Sequence, residues 1–259
     1  MRPLKEFILD KLKVEIHPNR AQMGKAAAEA VANRIRFLSK SKENVRMVFA
    51  AAPSQNDILA ALSQTPEIDW ARITAFHMDE YLGLPANVSQ LFGHYLRQHI
   101  FEKVSMRNVY FINPEPTDVQ AECERYSDLI GEAPIDIVCM GIGENGHIAF
   151  NDPPVANFND TATVKVVELD KVCRQQQVND GCFPTLADVP EQAITLTVPA
   201  LMSADAVFVV VPGPTKTEAV YRTLKGPIAT SCPASITRLH DDCRLFLDKD
   251  SAAKIYSEF

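Results

Sequence analysis

The sequence has no excess of positive charge. Its 26 Lys and Arg residues are outnumbered by 33 Asp and Glu residues, which gives a net charge of −7 at pH 7. No stripe of basic side chains interrupts this balance, and nucleic-acid binding depends on such stripes. The composition therefore argues against a nucleic-acid partner. It leaves room for a small anionic substrate, because a local site can be positive on an acidic protein.

Long apolar runs and paired cysteines are also lacking. No hydrophobic stretch approaches the roughly 20 residues of a membrane-spanning helix, so we expect no membrane partner. No signal peptide is recognisable at the start of the chain, and no cysteine pair has CxxC or zinc-site spacing. We expect a cytoplasmic protein with reduced thiols and no metal site. A disulfide between Cys173 and Cys182 stays open but is not favoured.

Alternating strand and helix patterns run through the chain and indicate an α/β fold. The 259 residues, 46% of them hydrophobic, can bury a sizeable core in one large domain or two small ones. No repeat, low-complexity tract or linker divides the chain, which favours one domain over 1–259. The pattern predicts a doubly wound, mainly parallel, Rossmann-like sheet with helices on both faces. The polar stretch 153–190 is a candidate lid or insertion within this domain.

The hydrophobic periodicity places these elements along the chain. Strands are predicted over 12–17, 45–52, 70–77, 108–112, 136–140, 163–169, 194–198, 206–211 and 243–247. Helices are predicted from Asn19 as N-cap to 38, and over 53–64, 88–104, 117–130, 215–224, 234–240 and 251–256. Ser54 and Asp57 approximate a capping box for the second of these helices.

The chain is organised around the run 136–154. It starts as an apolar strand and then breaks at Gly141, Gly143 and Gly146, which is typical of a buried parallel strand ending in a tight loop. In open α/β sheets ligands bind at that edge. The run is not a P-loop, because it lacks the lysine. The loop supplies four polar candidates for catalysis within nine positions: Glu144, Asn145, His147 and Asp152.

Three other predicted strand ends carry polar groups, at 52–57, 79–80 and 212–216. In a parallel sheet all four loops lie on one edge, where helix N-termini favour a phosphate. Lys216, in the first turn of its helix, could add a positive charge or could be a solvated surface lysine.

The acid–base candidates each have two interpretations. Asp79 could be a helix cap, or a general base that removes a proton next to a carbonyl. His147 could relay protons near neutral pH, or could simply be satisfied by backbone groups. Asp152 could orient the imidazole, or could be a turn residue ahead of Pro153.

The run 136–154, together with Phe-His-Met-Asp-Glu-Tyr at 76–81, resembles the glucosamine-6-phosphate deaminase (isomerase) family. Its superfamily includes 6-phosphogluconolactonases, and the resemblance continues through 193–247. The resemblance implies a cofactor-free, metal-free enzyme that converts glucosamine 6-phosphate into fructose 6-phosphate and ammonia. It implies that Asp79 moves a proton from C2 to C1, while His147 and Asp152 open the sugar ring. Beside these roles, we expect the substrate to be bound by the polar groups at the strand ends and their neighbours: Ser54, Gln55, Asn56, Glu80, Gly143 and Lys216.

The chain departs from the family pattern at three places. Asn145, with Glu144 beside it, replaces an aspartate, and asparagine cannot exchange a proton. Asp152 replaces a glutamate, and 53–57 replaces the usual phosphate loop. Arg174 does not align cleanly with the family's phosphate-binding arginine. A 6-phosphogluconolactonase-type hydrolase and a non-catalytic sugar-phosphate-binding protein are therefore alternatives, and a homo-oligomer is left open.

Overall fold

The computed structural model describes residues 2–258, and in this part of the chain eight strands form a central sheet. The described residues contain eleven strands in all: β1 (Lys5–Leu9), β2 (Leu12–His17), β3 (Val45–Phe49), β4 (Ile73–His77), β5 (Asp79–Tyr81), β6 (Asn108–Tyr110), β7 (Ile137–Met140), β8 (Val164–Glu168), β9 (Gln192–Leu196), β10 (Ala206–Val211) and β11 (Cys243–Asp248). The order across the central sheet is β1-β2-β11-β10-β7-β3-β4-β6. All its pairings are parallel except that of β1 with β2, which confirms the predicted mainly parallel sheet.

Helices cover both faces of this sheet, as predicted. They are α1 (Arg20–Leu38), α2 (Asn56–Ser63), α3 (Phe92–Leu96), α4 (Val119–Gly131), α5 (Lys171–Asn179), α6 (Val198–Met202) and α7 (Thr217–Lys225). Alternate residues of β10 show the two layers. Phe208 belongs to the hydrophobic cluster that includes α1 and α2, whereas Val207 belongs to the cluster that includes α4, α6 and α7. Strands buried on both sides need continuous apolar sequence, which β10 and β7 have.

The winding of the sheet reverses between β3 and β7. From β3 the chain proceeds outward through β4 to β6, and then returns to β7 on the other side of β3. It continues through β10 to β11 in the opposite direction. The loops after β3 and β7 therefore diverge, and such a switch point opens a crevice at the carboxyl edge of the strands.

A smaller antiparallel sheet, in the order β5-β9-β8, lies outside the central sheet. Its strand β5 starts only two residues after β4 ends, so the chain leaves the central sheet between His77 and Asp79. The predicted strands 163–169 and 194–198 are present, but they belong to this second sheet. The segment 153–190 includes β8 and α5, and its action as a lid stays a prediction.

The N-cap predicted for α1 is confirmed. The Asn19 side chain accepts a hydrogen bond from the Gln22 N–H at 2.9 Å and caps α1. The buried face of α1 includes apolar residues at spacings of three and four: Met23, Ala27, Val31, Ile35 and Leu38. All six cysteines are free thiols, so the disulfide between Cys173 and Cys182 is not formed. Among residues 2–258, none of the helices has the length and apolar character needed to cross a bilayer.

Other local predictions were wrong. The strand at 70–77 begins only at Ile73, after a 3₁₀ turn. The helix at 88–104 is restricted to α3 and a following π turn, because the Glu80 carboxylate binds the first backbone N–H groups of α3 and sets where it begins. Residues 234–240 lie in a 3₁₀ helix, and 251–256 form turns. Strand β1 was missed because its short edge sequence is only partly buried.

The capping box predicted at Ser54 is absent. Asp57 instead accepts a hydrogen bond from Arg20 Nε at 2.6 Å, which links the start of α2 to the start of α1. Gly24 lies at this same contact between the two helices. A Cβ at Gly24 would lie 2.5 Å from the Asp57 Cβ, so only glycine allows this close approach.

We therefore expect Gly24→Ala to lower the free energy of unfolding by about 1–3 kcal/mol, because the added methyl forces α1 and α2 apart. Urea denaturation measures the change. Gly131→Ala is the matched control, since a Cβ there meets nothing within 4 Å and alanine favours the helix. Equal effects of the two substitutions would show that the close helix contact does not matter.

Candidate active site

A pocket lies at the switch point. The loops that follow β3, β4, β7 and β10 form its walls, and α5 contributes side chains from the segment 153–190. The polar side chains that line it are Ser54, Gln55, Asp79, His147, Gln176, Gln177 and Lys216.

Asp79 is a buried carboxylate without a partner. Among residues 2–258 its side chain has no hydrogen-bond donor or ion-pair cation, and it lines the pocket. Burial, and then the negative charge of Glu80, raise the pKa of Asp79 well above its ordinary value. A carboxyl group with a raised pKa at a pocket wall can serve as a proton acceptor and donor.

Glu80 points away from the pocket. Its carboxylate accepts hydrogen bonds from the N–H groups of Phe92 at 3.0 Å and Gly93 at 2.8 Å. Burial raises the pKa of Glu80 to about 7, against the opposing effect of these backbone donors. Glu80 does not line the pocket; it positions Phe92, which does. The structure thus does not place Glu80 where it could bind a substrate directly.

His147 lies against the backbone of Gly143. A Cβ at Gly143 would be 2.1 Å from the Nε2 and Cε1 atoms of the imidazole, so no other residue fits under the ring. The Gly143 N–H also donates to the His147 carbonyl at 2.9 Å. Both residues line the pocket. The requirement for glycine at position 143 therefore comes from the imidazole that packs on it.

Asp152 lies behind the imidazole and is fully buried. Its Oδ1 is 2.8 Å from His147 Nδ1, although Nδ1 finds no acceptor with hydrogen-bond alignment. Burial alone would raise the pKa of Asp152, but the charge of His147 and hydrogen bonds from its neighbours outweigh burial and lower that pKa. Asp152 therefore stays ionised, which allows it to stabilise a protonated imidazole.

Asn145 holds this pair together from outside the pocket. Its amide nitrogen donates to Asp152 Oδ1 at 2.8 Å, and its amide oxygen accepts from the His147 N–H at 2.9 Å. It does not line the pocket. Asn145 thus positions two other residues from behind the pocket wall.

Glu144 also lies outside the pocket lining. Its backbone N–H donates to Gln176 Oε1 at 2.7 Å, which ties the loop after β7 to α5. Gln176 and its neighbour Gln177 are buried and line the pocket. The sequence indicated only a polar run at 175–177, and a polar run does not reveal which of its members are buried.

Lys216 supplies a buried cation at one end of the pocket. It is only 5% exposed, and among residues 2–258 it has no hydrogen-bond or ion-pair partner. Burial lowers the pKa of Lys216, while Asp180 and Glu144 act in the opposite direction. A buried charge without a partner is unfavourable, so this end of the pocket favours an anion.

Two of the three residues expected in the phosphate loop line the same pocket. The amide nitrogen of Gln55 donates to Ser54 Oγ and to the Val210 carbonyl, both at 3.1 Å. Asn56 does not line the pocket; it is exposed, and its side chain accepts a hydrogen bond from the Tyr95 hydroxyl. The structure therefore does not bring Asn56 into the pocket.

Arg174 is turned away from the pocket. Its guanidinium donates to the carbonyls of Leu186 at 2.9 Å and Val189 at 2.8 Å, and forms an ion pair with Glu191. Within residues 2–258, Lys216 is thus the one Lys or Arg that lines the pocket.

The structure brings together three potential metal ligands that the spacing of the cysteines in the sequence did not indicate. His147, Asp152 and Cys173 each place one donor atom within 4.8 Å of the others, and all three are buried. Cys173 lies on α5, within the segment 153–190, whereas His147 and Asp152 lie on the loop after β7. Its proximity depends on tertiary packing, which spacing rules such as CxxC cannot detect.

The fold and the pocket define an enzyme with acid–base groups at a switch-point crevice, and comparison with known proteins names the family. The model for glucosamine-6-phosphate isomerases/6-phosphogluconolactonase matches residues 18–245, so the chain belongs to this family of enzymes. This confirms the resemblance inferred from the sequence.

Named relatives are similar over most of the chain. A glucosamine-6-phosphate deaminase of Listeria monocytogenes serotype 4a (strain HCC23) is 32% identical over 203 residues, or 78% of this chain and 85% of the Listeria protein. One from Bacillus cereus (strain B4264) is 32% identical over 224 residues, covering 86% and 83% of the two chains.

Solved structures share the fold. One of a monomeric glucosamine-6-phosphate deaminase has a TM-score of 0.84 at 28% identity, with 93% of this chain and 98% of that chain covered. A 6-phosphogluconolactonase from Thermotoga maritima has a TM-score of 0.75 at 19% identity, with 92% and 100% covered, a similarity of fold alone.

The buried, unpaired carboxylate of Asp79 predicts a particular pH dependence of stability. Because its folded-state pKa is raised above the ordinary value of 3.8, its contribution to stability is complete below that pH and is lost as pH rises through the raised pKa. We expect Asp79→Asn to flatten this decline and to raise the free energy of unfolding at neutral pH by about 1–3 kcal/mol. Urea denaturation of both proteins at pH 5 and pH 8 tests this. A variant that is less stable by the same amount at both values would contradict it.

Proposed function

We propose that this enzyme converts glucosamine 6-phosphate into fructose 6-phosphate and ammonia by aldose–ketose isomerisation. The observation that carries the proposal is one pocket lined by the unpaired Asp79 carboxylate, the His147 imidazole and the unpaired Lys216 cation. These three groups match the three needs of the reaction: a base for a carbon-bound proton, a proton relay and a phosphate anchor.

Ring opening falls to His147 with Asp152. The imidazole removes the proton from the C1 hydroxyl and passes it to the ring oxygen, which leaves the open-chain aldehyde. During this transfer the ionised Asp152 stabilises the imidazolium. Gly143 and Asn145 keep the imidazole of His147 in place through the contacts described above.

Isomerisation falls to Asp79. Its carboxylate removes the C2 proton from the aldehyde and returns it to C1, while one proton of the amine passes to the C1 oxygen. C1 thereby becomes a CH₂OH group and C2 becomes an imine carbon. Water then adds at C2 and ammonia leaves, which gives the ketose. The raised pKa makes the carboxylate a stronger base and suits it for both directions of this transfer.

Asp79 also separates this proposal from its first rival. A 6-phosphogluconolactonase-type hydrolase needs a group that activates water, but its reaction does not move the proton on C2. The relatives at 32% identity are named glucosamine-6-phosphate deaminases, whereas the lactonase from Thermotoga maritima, at 19% identity, supports the fold alone.

The second rival, a non-catalytic sugar-phosphate binder, rested on Asn145 and the altered phosphate loop. Asn145 lies outside the pocket and holds Asp152 and His147, so its inability to carry a proton removes no acid–base group from the pocket. Ser54 and Gln55 still line the pocket beside Lys216. These placements favour an enzyme over a passive binder.

Incubation of the purified protein with glucosamine 6-phosphate, galactosamine 6-phosphate and 6-phosphogluconolactone, each separately, tests the proposal. We expect ammonia and ketose phosphate from glucosamine 6-phosphate, and a loss of about 10²–10⁴-fold in kcat for Asp79→Asn, because the base for C2 is removed. Acid from the lactone without ammonia from either amino sugar would support the hydrolase. Binding without turnover would support the passive binder, and full activity of Asp79→Asn would exclude Asp79 from the mechanism.

Removal of the pocket cation tests phosphate recognition. We expect Lys216→Met to lower kcat/KM for glucosamine 6-phosphate by about 10–100-fold, because a charge-assisted hydrogen bond to the phosphate is lost. Inorganic phosphate should also become a weaker competitive inhibitor. Lys25→Met on the exposed face of α1 is the control for charge alone. Equal KM values for the two variants would mean that the phosphate binds elsewhere.

A further inference from the structure

We propose that His147, Asp152 and Cys173 form an inhibitory site for a thiophilic divalent cation, with Zn²⁺ as the best fit. The three donor atoms lie within 4.8 Å of one another, and all three side chains are buried. Clusters of exposed acidic side chains are common in proteins without a bound metal, whereas these three side chains are buried and each offers a different type of ligand atom. An imidazole, a carboxylate and a thiolate are the three ligand types that zinc accepts in proteins.

The spacing of the donors suits a tetrahedral ion. Zinc bonds of about 2.0–2.3 Å place neighbouring ligand atoms roughly 3.3–3.6 Å apart. His147 Nδ1 and Asp152 Oδ1 are now 2.8 Å apart, so they would separate slightly. The thiol of Cys173 lies within the same 4.8 Å limit. With three protein ligands, a tetrahedral ion would take water or a small anion as its fourth ligand.

One donor atom in this cluster lacks a well-formed interaction. His147 Nδ1 is buried and has no hydrogen bond with proper alignment, despite its short distance to Asp152. The donor atoms of Asp152 and Cys173 lie within 4.8 Å of the imidazole donor. A cation placed among these atoms would give Nδ1 the directed bond that the protein alone does not supply.

The site would join two separate parts of the chain. His147 and Asp152 belong to the loop after β7, and Cys173 belongs to the first turn of α5. The Asp170 N–H already approaches Asp152 Oδ2 at 3.4 Å, so the beginning of α5 rests on the same carboxylate. A metal ion would cross-link the segment 153–190 to that loop.

The chemistry of binding is a simple exchange. The Cys173 thiol loses its proton to solvent as the sulfur–metal bond forms. The neutral imidazole binds through Nδ1 as the tautomer that carries its proton on Nε2, and the ionised carboxylate binds without proton loss. The ion would engage His147 Nδ1 and Asp152, the pair that the proposed ring opening uses. Bound metal would therefore inhibit the enzyme, and a chelator would restore it.

Cobalt titration of the chelator-treated protein tests the site without requiring turnover. Co²⁺ serves as the probe, because a cobalt–thiolate bond gives a near-ultraviolet charge-transfer band. We expect one Co²⁺ per chain with this band in the wild type, its loss on addition of Zn²⁺, and its absence in Cys173→Ser. Cys182→Ser, at the half-buried free cysteine near the end of α5, is the matched control and should keep the band.

The band in Cys173→Ser, or no band in the wild type with Co²⁺ in large excess, would overturn the proposal. If Cys173→Ser does not fold, His147→Gln provides the test, and unchanged cobalt affinity in that variant would also overturn it. For the active protein we expect half-inhibition of Cys173→Ser to need at least about 10-fold more Zn²⁺ than that of Cys182→Ser. Because the cobalt spectrum does not depend on catalysis, a failure of the proposed reaction would leave this test intact.

Discussion

The candidate site depends on the burial of one negative charge. Asp152 is 0% exposed, and a buried carboxylate is stable only when cations or hydrogen-bond donors surround it. Asn145 and His147 supply those partners from the same loop, and the backbone of Asp170 approaches from the segment that follows. The need to stabilise this carboxylate therefore orders the loop, sets the direction of the imidazole and brings the beginning of α5 to the pocket.

Asp79 and Lys216 show the opposite arrangement. Both are buried, yet neither has a partner of opposite charge among residues 2–258. Burial raises the pKa of Asp79 and lowers the pKa of Lys216, so it favours the neutral form of each group. Such groups lower the stability of an empty protein and are tolerated where a ligand or a reaction uses them. A phosphorylated amino sugar would give Lys216 an anion and Asp79 a proton to exchange. The stabilising interactions are thus those of Asp152 behind the imidazole, whereas the unpaired groups, Asp79 and Lys216, line the pocket.

Much of this arrangement follows from local sequence. The apolar runs that became β3, β7 and β10 predicted a parallel sheet, and a parallel sheet brings the residues after each strand to one edge. That reasoning was enough to place Asp79, His147 and Lys216 in one pocket, where the structure has them. The glycine-rich loop after β7 was recognisable because its glycines interrupt a continuous apolar strand.

The orientation of individual side chains could not be predicted in this way. Glu80 and Asn56 stand beside pocket residues in the sequence but turn to Phe92 and Tyr95, partners far away along the chain. Gln176 and Cys173 reach the site only because α5 folds over it. Strand β1 and the turns at 251–256 were misjudged for a related reason, since partly buried edges and chain ends carry weak hydrophobic periodicity.

A crystal structure of the Asp79→Asn variant with glucosamine 6-phosphate tests the central claim most directly, because loss of the base should leave the substrate intact in the pocket. The account predicts the phosphate within hydrogen-bond distance of Lys216, C2 facing residue 79, and the ring oxygen facing His147. A sugar bound in the reverse direction, or a phosphate held away from Lys216, would contradict it.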